Sequence, residues 1–268
     1  MSKGWIITQL CRKRGPFHGI YSLATDDNGY IYYTSENRIW KVQLISNNKG
    51  SSFVGMVCDR NVLYLCDHHR KCHKIVKYSL DTGILSTVVG EVFSRRAKDG
   101  NFKRAAICYP LGITVDKNGD IFFTESSCVR KVSLSQQTVT TVATTYQDRL
   151  QAHGIAVSED GSIYIADTYK NCILKIKDGV VSPFSSSRDG FAMTVAVLAN
   201  GNVVFGVRNG LKLMNNNQHV VSTLNLVSSC GIDGICECSN GDLIVAISGY
   251  LYKLERTWKY ERYLWIGC

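Results

Sequence analysis

The chain has 268 residues, of which 45% are hydrophobic and 20% are charged, and its net charge is +9. This apolar fraction excludes extended disorder, because such a chain can bury a core. No segment approaches the roughly 20 apolar residues of a membrane span, and the amino-terminal apolar stretch is too short for a secretion signal. We therefore expect one soluble, cytoplasmic, monomeric domain over residues 1–268.

Short strand patterns follow one another along the chain, each bounded by a turn signal. After a first apolar stretch at residues 6–10, a strand from Tyr21 leads through an Asp-Asn-Gly turn to a second apolar strand. Asn-Gly and Asp-Gly are the turns preferred between paired strands. The same order recurs from Phe53, Leu111, His153, Met193 and Asp233. These starts lie about 42 residues apart, the length of one four-stranded propeller blade.

The repeat predicts an all-β fold, a six-bladed β-propeller of four-stranded antiparallel blades. The blades are predicted at about 15–52, 53–90, 105–145, 150–187, 190–226 and 230–268. Residues 5–10 resemble the outer strand of the fifth blade, so we expect this amino-terminal strand to close the ring as the outer strand of the last blade. Residues 257–268 compete for that place, and three roles stay open for them: pairing there, adding a fifth strand, or capping the ring.

The best copies of the repeat are similar to a known family. The stretches from Leu111-Gly-Ile113 and His153-Gly-Ile155, with their Asp-Gly or Asn-Gly turns, resemble NHL repeats. The resemblance implies a six-bladed propeller that serves as a scaffold, an RNA binder or an enzyme. The chain is most similar to the NHL domain of tripartite-motif-type NHL proteins, which bind RNA on their top face, although it shows no RING, B-box or coiled-coil segment.

Basic residues concentrate in the loops that the resemblance places on the top face. We predict that these residues bind single-stranded RNA or another polyanion: Arg12, Lys13, Arg14, Arg70, Lys71, Arg95, Arg96, Lys103 and Arg104. The turns on the opposite face are acidic or neutral, although turn geometry alone also demands Asp, Asn and Gly there. The alternative function is a protein-interaction scaffold with an acidic protein partner.

The first residues of the inner strands are expected to ring the central channel. Of the predicted ring Tyr21, Phe53, Leu111, His153, Met193 and Asp233, only His153 and Asp233 can bind metals or transfer protons well. A catalytic zinc ion typically needs three protein ligands. We therefore predict a non-enzymatic module without metal or cofactor, with a channel-centred lyase or hydrolase as the least favoured alternative. The partner-binding residues predicted at the channel mouth are Tyr21, Phe53, His153 and Tyr169.

Cysteines and acidic residues recur inside the strand patterns. The eleven cysteines show no compact disulfide spacing and are predicted to be free thiols in a reducing compartment. The Cys66–His73 run and the Cys236/Cys238 pair lack the two-residue gap of zinc knuckles, so structural thiols are favoured, with a zinc site in the 66–73 run as the alternative. Acidic residues at the end of each second strand are predicted to bond backbone groups.

Overall fold

The computed structural model describes most of the chain. The described residues are 4–12, 20–35, 38–41, 43–47, 51–69, 73–90, 96–125, 127–144, 152–186, 190, 192–208, 210–227, 231–247, 250–257 and 264–265. Within them the chain forms strands and no helix, and hence no helix long and apolar enough to cross a membrane. The strands form six sheets, which confirms the predicted six-bladed propeller.

The first three blades each contain four antiparallel strands in chain order. Blade one consists of β2 (Ser22–Thr25), β3 (Ile31–Ser35), β4 (Arg38–Lys41) and β5 (Gln43–Asn47). Blade two consists of β6 (Phe53–Asp59), β7 (Val62–Asp67), β8 (Lys74–Ser79) and β9 (Leu85–Val89). Blade three consists of β11 (Pro110–Val115), β12 (Ile121–Glu125), β13 (Cys128–Ser133) and β14 (Thr138–Thr144), with β10 (Gly100–Asn101) added beside β14.

The last three blades complete the ring. Blade four consists of β15 (Ala152–Val157), β16 (Ile163–Asp167), β17 (Cys172–Lys177) and β18 (Val180–Pro183). Blade five consists of β19 (Val195–Val197), β20 (Val203–Val207), β21 (Gly210–Met214) and β22 (Val220–Val227). Blade six consists of β23 (Ile232–Glu237), β24 (Leu243–Ile247), β25 (Tyr250–Thr257) and β1 (Gly4–Arg12).

The two ends of the chain pair with different blades. Strand β1 runs antiparallel to β25, from Gly4 opposite Thr257 to Arg12 opposite Tyr250, as predicted for a closing strand. The carboxyl-terminal β26 (Leu264–Trp265) pairs in parallel with Leu226 and Val227 of β22. It therefore adds a fifth strand to blade five, the second of the three roles left open by the sequence.

The hydrophobic core is divided into six clusters, one between each pair of neighbouring blades. Between blades one and two, for example, Phe53 and Leu63 pack against Tyr32 and Ile39, and all four are buried. The second strands β12, β16 and β24 are buried at every position, because successive side chains point to opposite faces of a blade and neighbouring blades cover both faces. Each blade is thus buried on both faces, and the ring is held together by apolar contacts all the way around.

The inner strands are bulged at the point where they approach one another most closely. The pairing register shifts between Phe53 and Gly55, between Ala152 and Gly154, and again at Ile232. A Cβ atom at Gly55 would lie 2.1 Å from the carbonyl oxygen of Leu111, so only glycine fits there. A bulge re-aims the side chain of its extra residue. The extra residues of β15 and β23, His153 and Asp233, line the channel, whereas that of β6, Val54, packs against the core between blades two and three.

Candidate functional site

The upper end of the channel is a small pocket lined by the bulge residues. The pocket has a volume of about 70 Å³, and its polar lining includes Tyr21, His153 and Asp233, with Met193 beside them. His153 is exposed and Asp233 is partly exposed. The ring predicted from the sequence therefore exists at these four positions. It brings an imidazole, a carboxylate and a phenol from three different blades into one pocket.

Below this pocket the channel narrows to an apolar girdle, defined as the residues that line both the upper pocket and a second cavity beneath it. The girdle takes one buried residue from each inner strand: Leu23, Met56, Ile113, Ile155, Val195 and Ile235. The lower cavity has a volume of about 310 Å³ and reaches Cys58, Cys236 and Glu237. The two cavities meet at this girdle, with the upper pocket towards the top face and the lower cavity beneath it.

The surroundings of His153 favour its neutral form. Its imidazole is open to the channel, yet protein atoms enclose it on most sides. This burial lowers the pKa of His153 below its usual 6.5, and the charge of His68 lowers it further. Burial disfavours a charged imidazole because the interior solvates ions poorly. At neutral pH His153 is therefore a base with a free lone pair.

A second group of aromatic side chains lies beside the pocket, at the top of blades two and three. The ring of His68 lies 5.5 Å from that of His73, and Tyr109 packs against both, at 5.2 Å and 4.2 Å between ring centres. The Nδ1 atom of His68 lies 3.2 Å from the carbonyl oxygen of Pro110. From the sequence, the Cys66–His73 run that contains both histidines was left as an alternative zinc site, whereas Tyr109 was not identified. Which loop residues meet depends on backbone conformation that no periodic pattern encodes.

Three exposed tyrosines mark the top face: Tyr21, Tyr109 and Tyr169. Tyr169 lies in the loop between β16 and β17, two residues after Asp167, whose carboxylate accepts a hydrogen bond from its backbone N–H. The predicted channel residue Phe53 is placed differently, because its side chain is fully buried between blades one and two. The bulge in β6 explains the difference, since it makes Val54 the equivalent of His153.

The structure describes the side chains of only some of the predicted basic residues. Arg96, Lys103 and Arg104 are exposed before blade three, as expected. Arg12 lies at the end of β1, and its side chain falls outside the described part of the chain. The remaining members also lie outside the described residues: Lys13, Arg14, Arg70, Lys71 and Arg95. The structure therefore does not bring the nine basic residues together as one described surface.

The buried side chain of Arg130 binds the basic segment before blade three to that blade. The guanidinium of Arg130 is fully buried and pairs with the carboxylates of Glu125 and Asp99. It also donates a hydrogen bond to the carbonyl oxygen of Lys98, at 3.0 Å. Asp99 in turn accepts hydrogen bonds from the backbone and hydroxyl of Thr141. Ion pairs and hydrogen bonds thus attach this segment to blade three.

The acidic turns of the lower face are engaged locally. Asp26 and Asp116 accept hydrogen bonds from backbone N–H groups of their own turns. Asp120, Asp160 and Asp242 pair with lysines of the third strand of each blade: Lys131, Lys177 and Lys253. The acidity of these turns therefore serves turn geometry and local ion pairs, the alternative that the sequence analysis left open.

The acidic residues that end the second strands bond backbone groups, as predicted. Asp67 accepts from the N–H of Ser52, and the Glu125 carboxylate accepts from that of Cys108. The side chains of seven cysteines are described, and none of these forms a disulfide. In the same part, no group of three or more His, Cys, Asp and Glu side chains converges as a metal site.

Comparisons with known proteins identify the class of the fold. The model of the NHL repeat matches residues 150–176, which cover β15, β16 and most of β17. Together with the six blades, this match supports an NHL-type β-propeller. The closer likeness to tripartite-motif-type NHL proteins is not confirmed. A search of curated protein sequences found no match.

Three solved structures share this fold over most of their length. A gluconolactonase from Xanthomonas campestris is 15% identical, with a TM-score of 0.69, and 90% of this chain and 86% of that chain are covered. A streptogramin B lyase is 13% identical, with a TM-score of 0.69 and coverage of 94% and 98%. A catalytically inactive histidine-to-alanine variant of virginiamycin B lyase from Staphylococcus aureus, with quinupristin, is 14% identical, with a TM-score of 0.64 and coverage of 93% and 99%.

These findings correct the functional prediction. A non-enzymatic module that binds RNA through its top face, or a scaffold in its place, was predicted, and that prediction was wrong, because several solved structures with this fold are named enzymes. The prediction rested on basic loops that the resemblance placed on one face, and a basic surface does not by itself identify a binding site. At this level of identity the likeness shows the fold alone and no particular reaction. The acidic protein partner, the monomeric state and the cytoplasmic location stay predictions.

Proposed function

We propose that the chain is an enzyme that acts on a small molecule at the top of its channel, by hydrolysis or elimination, with His153 as the general base. The observation that carries the proposal is the position of His153, an exposed imidazole in a pocket shared with Asp233 and Tyr21. The gluconolactonase and the lyases support it, as does the inactivity of the lyase variant that lacks one histidine.

The size of the pocket indicates how a substrate binds. Ligand pockets commonly measure about 300 to 1,000 Å³, so a volume of about 70 Å³ holds only the reacting group. The rest of the molecule then lies on the top face, where Tyr21, Tyr109 and Tyr169 are exposed. Exposed tyrosines offer both an apolar ring and a hydroxyl group.

The chemistry follows from the neutral state of His153. A neutral imidazole accepts a proton from an attacking water in hydrolysis, or from a carbon atom of the substrate in elimination. The resulting imidazolium then returns the proton to the leaving group. Asp233 contributes a carboxylate to the same pocket and is its second group that can transfer a proton.

The test is turnover of a panel of small esters, lactones and compounds with an acidic C–H bond next to a leaving group. For any compound that the wild-type chain converts, we expect His153→Ala to lower kcat/KM by about 10² to 10⁴. The matched control is His219→Ala, which removes an exposed histidine from a lower turn of blade five and should leave kcat/KM unchanged. No turnover across the panel, or turnover that His153→Ala retains, would contradict the proposal.

A further inference from the structure

We propose that His68 and His73 form a second site beside the upper pocket, which binds a divalent transition-metal ion of the zinc type. The first evidence is the burial of His73, which is 6% exposed. Its Nε2 atom has no hydrogen-bond partner among the described residues. A buried polar atom without a partner is costly, and an ion absent from the coordinates is one physical explanation for it.

The second evidence is the orientation of His68. A carbonyl oxygen can only accept a hydrogen bond, so the contact between Nδ1 of His68 and the carbonyl of Pro110 requires the proton to be on Nδ1. In the neutral form of His68, Nε2 then carries the lone pair. Histidines that bind metals almost always donate their other ring N–H in this way, to a backbone carbonyl or a carboxylate. His68 is therefore held in the tautomer that a metal ligand needs.

The spacing of the two rings fits a shared ion. A bound metal lies about 2 Å from each donor nitrogen and hence about 3 Å from each ring centre, which places two imidazoles on one ion about 5 to 6 Å apart. The observed separation is 5.5 Å. Tyr109 covers both rings, and its φ of 53° is a conformation that residues other than glycine rarely adopt. Tyr109 thus holds the two histidine rings in one arrangement.

The donor set indicates the kind of ion. Imidazole nitrogens suit zinc, copper and nickel, whereas calcium and magnesium prefer oxygen. Because no third such side chain joins the two histidines in the described part of the chain, the remaining positions would be filled by water or a bound molecule. The site does not depend on the proposed reaction, and either can fail without the other.

The test is a titration of the chelator-treated, full-length chain with Co²⁺, whose absorption spectrum reports its ligands, followed by competition with Zn²⁺. We expect one equivalent of Co²⁺ to bind with a nitrogen and oxygen spectrum and to be displaced by Zn²⁺. His68→Gln and His73→Gln should each weaken binding by at least about tenfold, whereas the matched control His219→Gln should bind as the wild type does.

Two results would overturn the site. One is the absence of any binding in a large excess of Co²⁺. The other is binding that His68→Gln retains in full, or that gives a thiolate-to-metal charge-transfer band, since the cysteines would then be the ligands. His73 is buried and its replacement can impair folding, so the partly exposed His68 provides the deciding variant, with circular dichroism to confirm its fold.

Discussion

At the scale of single residues, His153 combines solvent access with a lowered pKa. The bulge in β15 turns this residue into the channel, while the ring of inner strands surrounds it with protein. A group that is wholly buried could not meet a substrate, and one that is wholly exposed would be partly protonated near neutral pH. At this position the channel gives the imidazole both access to a substrate and surroundings that lower its pKa.

The lowered pKa of His153 predicts the pH dependence of any activity. The protonated imidazole cannot act as a base, so kcat/KM should be constant at neutral pH and fall as the pH drops through a pKa below 6.5. A histidine signal followed by NMR, identified by its loss in His153→Ala, should titrate at the same pH. A midpoint above 6.5 would contradict the assignment.

The same titration tests the effect of His68. Replacing His68 by glutamine removes a positive charge that disfavours protonation of His153, so its pKa should rise towards 6.5. The measurement is made in metal-free buffer, with His219→Gln as the control. An unchanged midpoint in His68→Gln would show that burial alone sets the pKa.

The sequence located part of this site. The repeat alignment found His153, Asp233 and Tyr21, because equivalent positions of a repeat occupy equivalent places in the ring. It misplaced Phe53 by one residue, since a bulge adds a residue to one strand without changing the apolar pattern that precedes it. It could not find the contact of His68 with Tyr109, which joins two loops of different blades.

At the scale of elements, the inner strands depend on glycine for their close approach. Gly55, Gly112 and Gly154 each face the backbone of the next blade, where a Cβ atom would lie 2.1, 2.5 and 2.7 Å from its nearest neighbour. These contacts set the diameter of the channel and hence the size of the upper pocket. The glycines therefore support the site without taking part in it.

A single methyl group at one of these glycines should destabilise the fold. We expect Gly55→Ala to lower the free energy of unfolding by about 1 to 3 kcal/mol, because the backbone of blade three must move away. The measurement is chemical denaturation followed by tryptophan fluorescence. The control is Gly119→Asn in an open turn, where a side chain meets nothing and asparagine tolerates the positive φ of 82°. Equal stability of the two variants would contradict the prediction.

The strands themselves were largely readable from the sequence. Alternation and turn signals predicted the four-stranded blades, because each strand is buried on a regular face and each turn needs Asn, Asp or Gly. The added strands β10 and β26 were not predicted, since each has only two residues and no pattern of its own. Their placement is decided by contacts across the fold.

At the scale of the whole molecule, one strand joins the two ends of the ring. Strand β1 contributes eight paired positions to β25, whereas β26 contributes two to β22. A ring closed in this way cannot open between its first and last blades without breaking the pairing of β1. It also leaves β25 with partners on both sides, which hides an edge that would otherwise pair with other chains.

Removal of residues 1–12 should therefore cost far more than removal of residues 258–268. Cross-strand pairs contribute about 0.2 to 1 kcal/mol each, so loss of β1 should lower the free energy of unfolding by several times as much as loss of β26. The midpoint of thermal unfolding and the elution volume in gel filtration measure stability and association through the exposed β25 edge. Equal effects of the two deletions would contradict this role of β1.

The apolar girdle also has a kinetic consequence. All six side chains of the girdle are aliphatic or thioether groups, so a polar molecule that crossed it would lose hydrogen bonds to water without gaining new ones. We therefore expect a polar substrate and its product to share the opening on the top face. If the proposed function holds, the product should then act as a competitive inhibitor of the substrate.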